Sequence, residues 1–162
     1  MRKIAEVILV FIMVINVSAC GLNKDKSKSH IDQMVEMGEK ITECFENKDK
    51  DGLIALFSLN VEKKYNLEEE IETAFEFFDS EIVEHDSPTV GPGGGSSTPE
   101  GWVERELSGN IRNIVTQSGT TYKITYGVCL IDKNDEDNVG VRVIRIINEN
   151  IPESVCFIGK RN

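Results

Sequence analysis

The sequence predicts an α+β domain, in which three N-terminal helices pack on a curved antiparallel sheet of about four strands. Two observations carry this prediction. Apolar residues recur at helical spacing as far as Phe78, and they alternate at strand spacing from Val103 onward. Helices followed by a run of strands are typical of α+β proteins. The chain from His30 to Asn162 is long enough for one compact core, so we assign 30–162 to a single domain.

Three helices are predicted in the first half of this domain. Ser29 and Asp32 have the spacing of a capping box, and an amphipathic pattern follows as far as Asn47. A short helix is expected over the apolar cluster 53–57. Asn66 is placed to cap the third helix, and the three glutamates that soon follow it favour the positive N-terminal end of that helix.

The second half alternates between strand patterns and turns. The segment from Ser87 to Gly101 is rich in glycine and proline, which predicts a mobile surface loop without regular structure. Strands are expected over 103–117, 122–130, 139–147 and 154–158. Arg142 and Arg145 differ by three positions, so they should face opposite sides of an ideal strand.

A twisted sheet wrapped around helices leaves a concave mouth, and small molecules bind in such concavities. Trp102, Tyr122 and Tyr126 are the candidate residues lining this mouth. An enzyme would need a general base there, for which His85 and Asp86 are the candidate catalytic residues. The competing interpretation places His85 at an exposed strand end, which we favour, so an enzyme is the less favoured class.

Residues 1–19 have the features of a secretory signal peptide. A positively charged start precedes the apolar run 7–15, which is too short to span a membrane. The small residues 17–19 precede Cys20 and resemble a bacterial lipobox, in which the cysteine is acylated and becomes the first residue of the mature chain. We therefore expect 20–29 to be a lipidated cysteine and a tether. Two acyl chains anchor durably, so the expected location is the extracellular face of the cytoplasmic membrane.

Composition limits the partners of the domain. The formal net charge of −10 argues against nucleic acid. Three cysteines remain beyond the predicted lipidation site: Cys44, Cys129 and Cys156. An odd number is not a complete disulfide framework, although one pair stays open. No cysteine–histidine cluster has the spacing of a zinc site, and we expect neither metal nor cofactor.

One segment imitates a calcium site. The residues from Asn47 match the first eight positions of an EF-hand loop, with Asn47, Asp49 and Asp51 as candidate oxygen ligands. Position twelve is Ser58 instead of a bidentate glutamate, so the main source of calcium affinity is missing. We favour the competing interpretation, a polar turn that ends the first helix and caps the second.

Three segments carry a resemblance to a known family: "KDKDGLIALFS", "YNLEEEIETAFEFFDSEIV" and "TYKITYGVCLIDKNDEDNVGVRVIRI". They resemble an uncharacterised family of lipoproteins of Gram-positive bacteria, the domain of unknown function 5104. The resemblance covers about residues 30–158 and implies a nuclear-transport-factor-like or cystatin-like cone fold. It brings no established activity and no site residues. That broader fold hosts enzymes, carriers and interaction modules.

Three functions stay open. The leading one is a membrane-anchored extracytoplasmic module that binds a protein or a small ligand through the cone mouth or the acidic helical face. The second is an isomerase- or hydratase-like enzyme with an ionisable residue in the same pocket. The third is a homodimer with a structural role in the bacterial cell envelope. Its interface would be an apolar patch on the outer sheet face, with Ile131, Ile144 and Ile146 as candidates.

Overall fold

The computed structural model describes residues 28–160, which form four helices followed by six strands. The helices are α1 (His30–Asn47), α2 (Lys50–Ile54), α3 (Leu59–Lys64) and α4 (Leu67–Phe77). The strands are β1 (Ile82–Glu84), β2 (Thr89–Thr98), β3 (Gly101–Thr116), β4 (Thr121–Asp132), β5 (Gly140–Asn148) and β6 (Val155–Gly159). The predicted α+β class is confirmed, with six strands in place of about four. The predicted signal peptide and Cys20 lie outside the described residues.

All six strands belong to one antiparallel sheet in the order β1-β3-β4-β5-β6. Strand β2 also pairs with β3, from Thr89 opposite Asn110 to Thr98 opposite Gly101. Strand β1 pairs with the other end of β3, at Val115 and Thr116. Strands β1 and β2 therefore lie along the same edge of β3. The long strand β3 therefore pairs with three of the other five strands.

The helices pack on one face of the sheet and leave the other face, here called the open face, without a covering layer. The core is made of apolar residues from both layers, including Met34, Ile41, Phe45, Leu53, Ile71, Ile111, Ile124, Tyr126, Ile144, Ile146 and Ile158. Burying a side chain of this size contributes about 1.5–3 kcal/mol. The covered face therefore supplies most of the driving force for folding.

Tyr126 connects the two layers. Its hydroxyl donates to the carbonyl oxygen of Met34 in α1 at 2.8 Å. A Cβ atom added at Gly109 would lie 2.1 Å from Cζ of this ring, and one added at Gly38 would lie 2.5 Å from its hydroxyl oxygen. The two glycines thus provide the space that the tyrosine occupies.

The N-terminus of α1 follows the predicted local chemistry, whereas α2 and α4 differ from the prediction. Helix α2 covers Lys50–Ile54 and not the predicted cluster 53–57. Ser29 Oγ accepts from the backbone N–H of Asp32 at 3.1 Å, and the carboxylate of Asp32 accepts from the backbone N–H of Ser29, which confirms the capping box. Asn66 occupies the N-cap position of α4, but its side chain makes no capping hydrogen bond and instead donates to Glu69 at 2.9 Å. Helix α3 was not predicted, because its six residues are too few to show a period.

The prediction of an irregular loop from Ser87 to Gly101 is wrong, because β2 occupies most of it. Its glycines allow the backbone to come close to β3: a Cβ at Gly93 would lie 2.2 Å from the carbonyl oxygen of Glu106. Pro92 lies where the pairing register shifts, so its missing N–H costs no regular ladder bond. This segment is a strand because it pairs with β3, although its local composition is unfavourable for a strand.

The predicted outer patch is also wrong for two of its three residues. Ile144 and Ile146 are fully buried on the covered face. Their register partners, Tyr126 and Ile124, belong to the same core. A dimer interface built from these isoleucines is therefore incompatible with the fold.

Candidate functional site

The two tyrosines expected to line a mouth lie in the interior of the domain, each only 1 % exposed. The hydroxyl of Tyr122 donates to the carbonyl oxygen of Phe77 at 3.3 Å and accepts from the backbone N–H of Asp79 at 3.2 Å. Burial raises the pKa of Tyr126 to about 12, so its hydroxyl stays protonated at neutral pH. Both tyrosines join helices to the sheet instead of lining a cavity.

Trp102 lies half-buried at the start of β3. The Arg105 guanidinium carbon is 4.4 Å from the centre of its ring, and the His30 ring is 6.4 Å away in an edge-on arrangement. These three side chains form a cluster beside the N-terminus of α1. They mark the end of the domain at which the predicted tether enters.

His85 and Asp86 follow β1 at the surface. His85 Nε2 is 3.4 Å from the carboxylate of Glu46, and Asp86 accepts from the side-chain amide of Asn113 at 2.7 Å. His85 Nδ1 also lies 3.0 Å from the backbone carbonyl oxygen of Asp86, but the two side chains contact separate partners. Neither residue lines the groove described below. The structure does not bring them together with the other candidate site residues.

The segment that imitates an EF-hand is a turn and a cap, as favoured from the sequence. Asn47 donates its side-chain amide to the carbonyl oxygen of Glu43 at 2.9 Å. Asp49 accepts from the backbone N–H of Gly52 at 2.9 Å and caps α2, whose first turn contains Asp51. Among residues 28–160, no three histidine, cysteine, aspartate or glutamate side chains are grouped to hold a metal ion.

The three cysteines beyond the predicted lipidation site are buried, and no disulfide joins them. Burial raises the pKa of Cys44 and that of Cys129 above the ordinary thiol value. A raised pKa disfavours the nucleophilic thiolate. These residues are therefore small apolar components of the interior.

A groove of about 640 Å³ lies on the open face of the sheet, and we call it the basic groove. Its floor includes Thr125 and Gly127, which alternate along β4 with the buried Tyr126 and therefore point away from the helices. Register pairs Thr125 with Arg145 and Gly127 with Val143. A Cβ atom added at Gly127 would lie 3.2 Å from Cγ1 of Val143, so the missing side chain leaves space in the floor beside that residue.

Two irregularities in the sheet shape this groove. On one side, β2 shifts register between Val90 and Gly93, and Gly93 and Gly94 form that wall. On the other side, Gly127 pairs with Val143 whereas Val128 pairs with Val141, so β5 contains one extra residue. Such β-bulges redirect side chains and are common next to functional sites.

The extra residue in β5 corrects the prediction for the two arginines. Val141 and Ile144 both face the core although they are three positions apart. The bulge therefore turns Arg142 and Arg145 toward the same side, and both line the basic groove. Both arginines are present in the sequence, but a strict two-residue strand period predicts that they lie on opposite faces of the sheet.

Charge distinguishes the basic groove from the rest of the domain. Three cationic side chains line it, Arg142, Arg145 and Lys160, against one carboxylate, Glu106. Arg142 Nη1 and Glu106 Oε1 are 3.1 Å apart and form an ion pair. A neighbouring cavity of about 250 Å³ shares Arg142 and Lys160 and adds Lys64. The groove can therefore attract negative charge.

The comparisons with known proteins concern most of the chain. The model of a domain of unknown function (DUF5104) matches residues 40–149, from α1 to the end of β5. This segment includes all four strands that contribute the groove's glycine residues, its two arginines and its carboxylate, whereas Lys160 lies beyond it. No curated protein matches the chain. Within the described residues, no helix is both long and apolar enough to cross a membrane.

Proposed function

We propose that this chain, which belongs to the DUF5104 family, is a lipid-anchored extracytoplasmic binding module that takes up its ligand in the basic groove. The proposal keeps the leading function expected from the sequence and moves the binding site from the cone mouth to the open face. The nuclear-transport-factor-like or cystatin-like identity of the fold is part of the same proposal. The order of helices and antiparallel strands supports it.

The proposed anchor is supported by the lipobox-like residues before Cys20 and by the way the chain enters the domain. Lys28 forms an ion pair with Glu36, and its carbonyl oxygen accepts from the side-chain amide of Gln33 at 2.9 Å. These contacts hold the end of the tether against α1. The short segment between Cys20 and Lys28 would then keep the domain close to the membrane surface.

The observation that carries the proposed binding role is the groove itself. Its volume falls within the range of about 300–1,000 Å³ that is typical of small-molecule sites. Paired strands form its floor and much of its walls, so the positions of its lining residues are fixed by the sheet. Apolar surface from Leu107, Val143 and Phe157 lies beside the charged groups.

The composition of the groove favours binding over acid–base catalysis. Its one carboxylate, Glu106, is already ion-paired with Arg142. No imidazole or thiol is among the residues that line it. A general base needs a poised, available proton acceptor, and neither His85 nor Asp86 is among the residues that line the groove.

The anchor is tested by Cys20→Ala in cells grown with a clickable palmitate analogue. The variant should lose the label and leave the membrane fraction, because acylation supplies the durable anchoring. Cys129→Ala is the matched control and should keep both the label and the membrane location. Retention of the label by the Cys20 variant would contradict the proposal.

A further inference from the structure

We infer that the ligand of the basic groove is a small soluble organic anion with an apolar body. Arg145 and Lys160 bind its charged group, and Phe157 contacts its apolar part. This inference rests on the proposed function and specifies the ligand class of the same groove.

The basic groove is an exception in an acidic protein. The helical segment 30–77 contains thirteen acidic and five basic residues. The groove, in contrast, has three cationic side chains and one carboxylate. The chain as a whole carries a formal charge of −10. The local excess of positive charge in the groove is therefore opposite in sign to the net charge of the chain. It is the chemistry expected of a site for a small anion.

Two of the three cations have no carboxylate partner among the described residues. Arg142 pairs with Glu106, but among residues 28–160 no carboxylate oxygen lies within 4.0 Å of the charged nitrogens of Arg145 or Lys160. A carboxylate or phosphate group placed between them would form charge-assisted hydrogen bonds, which are stronger than neutral ones. The groove thus has two available cations for one anionic group.

Arg142 adds a third positive charge to the groove. Its Nε atom is buried and has no hydrogen-bond acceptor among the described residues. Burying a donor without a partner costs free energy. Because this atom is inaccessible from the groove, Arg142 contributes to the groove through its positive charge and not through this donor.

Phe157 identifies the other half of the ligand. The residue is 37 % exposed, so its side chain offers apolar surface to the groove. The Arg145 guanidinium carbon lies 5.7 Å from the centre of the ring, so a cation and an apolar surface are adjacent. Val143 extends the apolar surface along the groove. An aromatic or aliphatic body next to the anionic group fits this arrangement, and the volume of about 640 Å³ suits a single small molecule.

The test is isothermal titration calorimetry of the full-length protein in non-ionic detergent, with three probes. Phenyl phosphate has both the anionic group and the ring, inorganic phosphate has only the charge, and benzyl alcohol has only the ring. We expect phenyl phosphate to bind at least about tenfold more tightly than either of the other two, since it uses both halves of the groove.

Three variants of the groove and one control variant locate the binding. Arg145→Gln and Lys160→Gln should each weaken phenyl phosphate binding by about five- to tenfold, the loss expected for one charge-assisted contact. Lys123→Gln is the matched control: it removes the same charge from the same sheet face but from outside the groove lining, and it should leave the affinity unchanged. Gly127→Leu fills the floor and should abolish binding.

The possible contrary results have different meanings. Equal weakening by Lys123→Gln would overturn the inference, because attraction would then be nonspecific. Benzyl alcohol binding as tightly as phenyl phosphate, and lost in Gly127→Leu, would overturn the anion class but retain the groove as a site. Phenyl phosphate binding that none of the groove variants changes would overturn both the inference and the proposed ligand site. Absence of any phenyl phosphate binding would overturn the inference.

Discussion

The two faces of β4 differ in burial and in the chemistry of their side chains. Toward the helices it presents Tyr122, Ile124 and Tyr126, all of them almost completely buried. On the open face it presents Lys123, Thr125 and Gly127, which are partly exposed. On the covered face, the choice of side chain is limited by the available volume, because each side chain must fit its neighbours. The open face does not have this limit, so polar residues, charged residues and glycine can together form a binding site there.

The difference in charge between the helical layer and the basic groove is equally instructive. A net charge of −10 describes the whole chain and repels large polyanions. A small anion samples only the local field, which Arg142, Arg145 and Lys160 make positive. Composition therefore excludes a class of large partner without describing the site itself.

The largest expected effect comes from comparing the two faces by matched truncations. Ile144→Ala on the covered face should lower the free energy of unfolding by about 2–5 kcal/mol, because it leaves a cavity in the core. Ile147→Ala, on the open face of the same strand, should lower it by about 1 kcal/mol or less. Urea unfolding followed by circular dichroism measures both. Equal losses would show that the faces are assigned incorrectly.

A smaller effect is expected from adding one methyl group. Gly109→Ala would place Cβ inside the ring of Tyr126 and should cost about 1–3 kcal/mol of stability, the usual range for overpacking. Gly94→Ala is the control, since its Cβ would meet nothing within 4 Å. The same urea experiment distinguishes them. A Gly109 variant as stable as the Gly94 variant would contradict the close packing of α1 on the sheet.

The next effect concerns the junction between α4 and the β3–β4 turn. The carboxylate of Asp79 accepts from Ser118 Oγ at 2.6 Å, from Thr116 Oγ1 at 2.7 Å and from the hydroxyl of Thr120. These hydrogen bonds, that of Ser118 first, lower the pKa of Asp79 from 3.8 to about 2. The stabilisation is therefore fully present above pH 3.8 and is lost as the pH falls toward 2.

Thermal melting between pH 5 and pH 2 measures this contribution. Asp79→Asn should flatten the acid part of the stability profile, since the group that titrates is removed. Ser118→Ala should flatten it only in part, because the other hydroxyl groups remain. An unchanged profile in the Asp79 variant would show that other carboxylates determine the acid sensitivity.

The smallest effect is expected for the groove cations. Lys160→Gln should change the free energy of unfolding by less than about 0.5 kcal/mol, because its side chain is exposed and pairs with no described carboxylate. The same variant should weaken anion binding, so stability and affinity separate. A large loss of stability in Lys160→Gln would assign the residue a structural role instead.

The sequence predicted the elements whose signal is local. The capping box at Ser29 and the alternation from Tyr122 to Val128 each lie within one element, and both are confirmed. Strand β2 was missed because glycine and proline are unfavourable in strands taken singly, whereas pairing with β3 depends on residues far along the chain. Helix α3 was missed because it is short.

The groove could not be predicted, since it depends on register. Arg142 and Arg145 line it together only because β5 contains an extra residue opposite β4. Nothing in the local sequence marks that bulge. Phe157 is flanked in the sequence by Cys156 and Ile158, so neither its exposure nor its contact with Arg145 could be read from the sequence.

The most direct test of the account is a ¹H–¹⁵N correlation spectrum of the full-length protein in detergent micelles during titration with phenyl phosphate. We expect saturable shifts at the amides of Gly94, Thr125, Gly127 and Val143, and no comparable shifts in α1 or α4. Shifts concentrated in the helices, or spread evenly over the domain, would contradict a binding site on the open face.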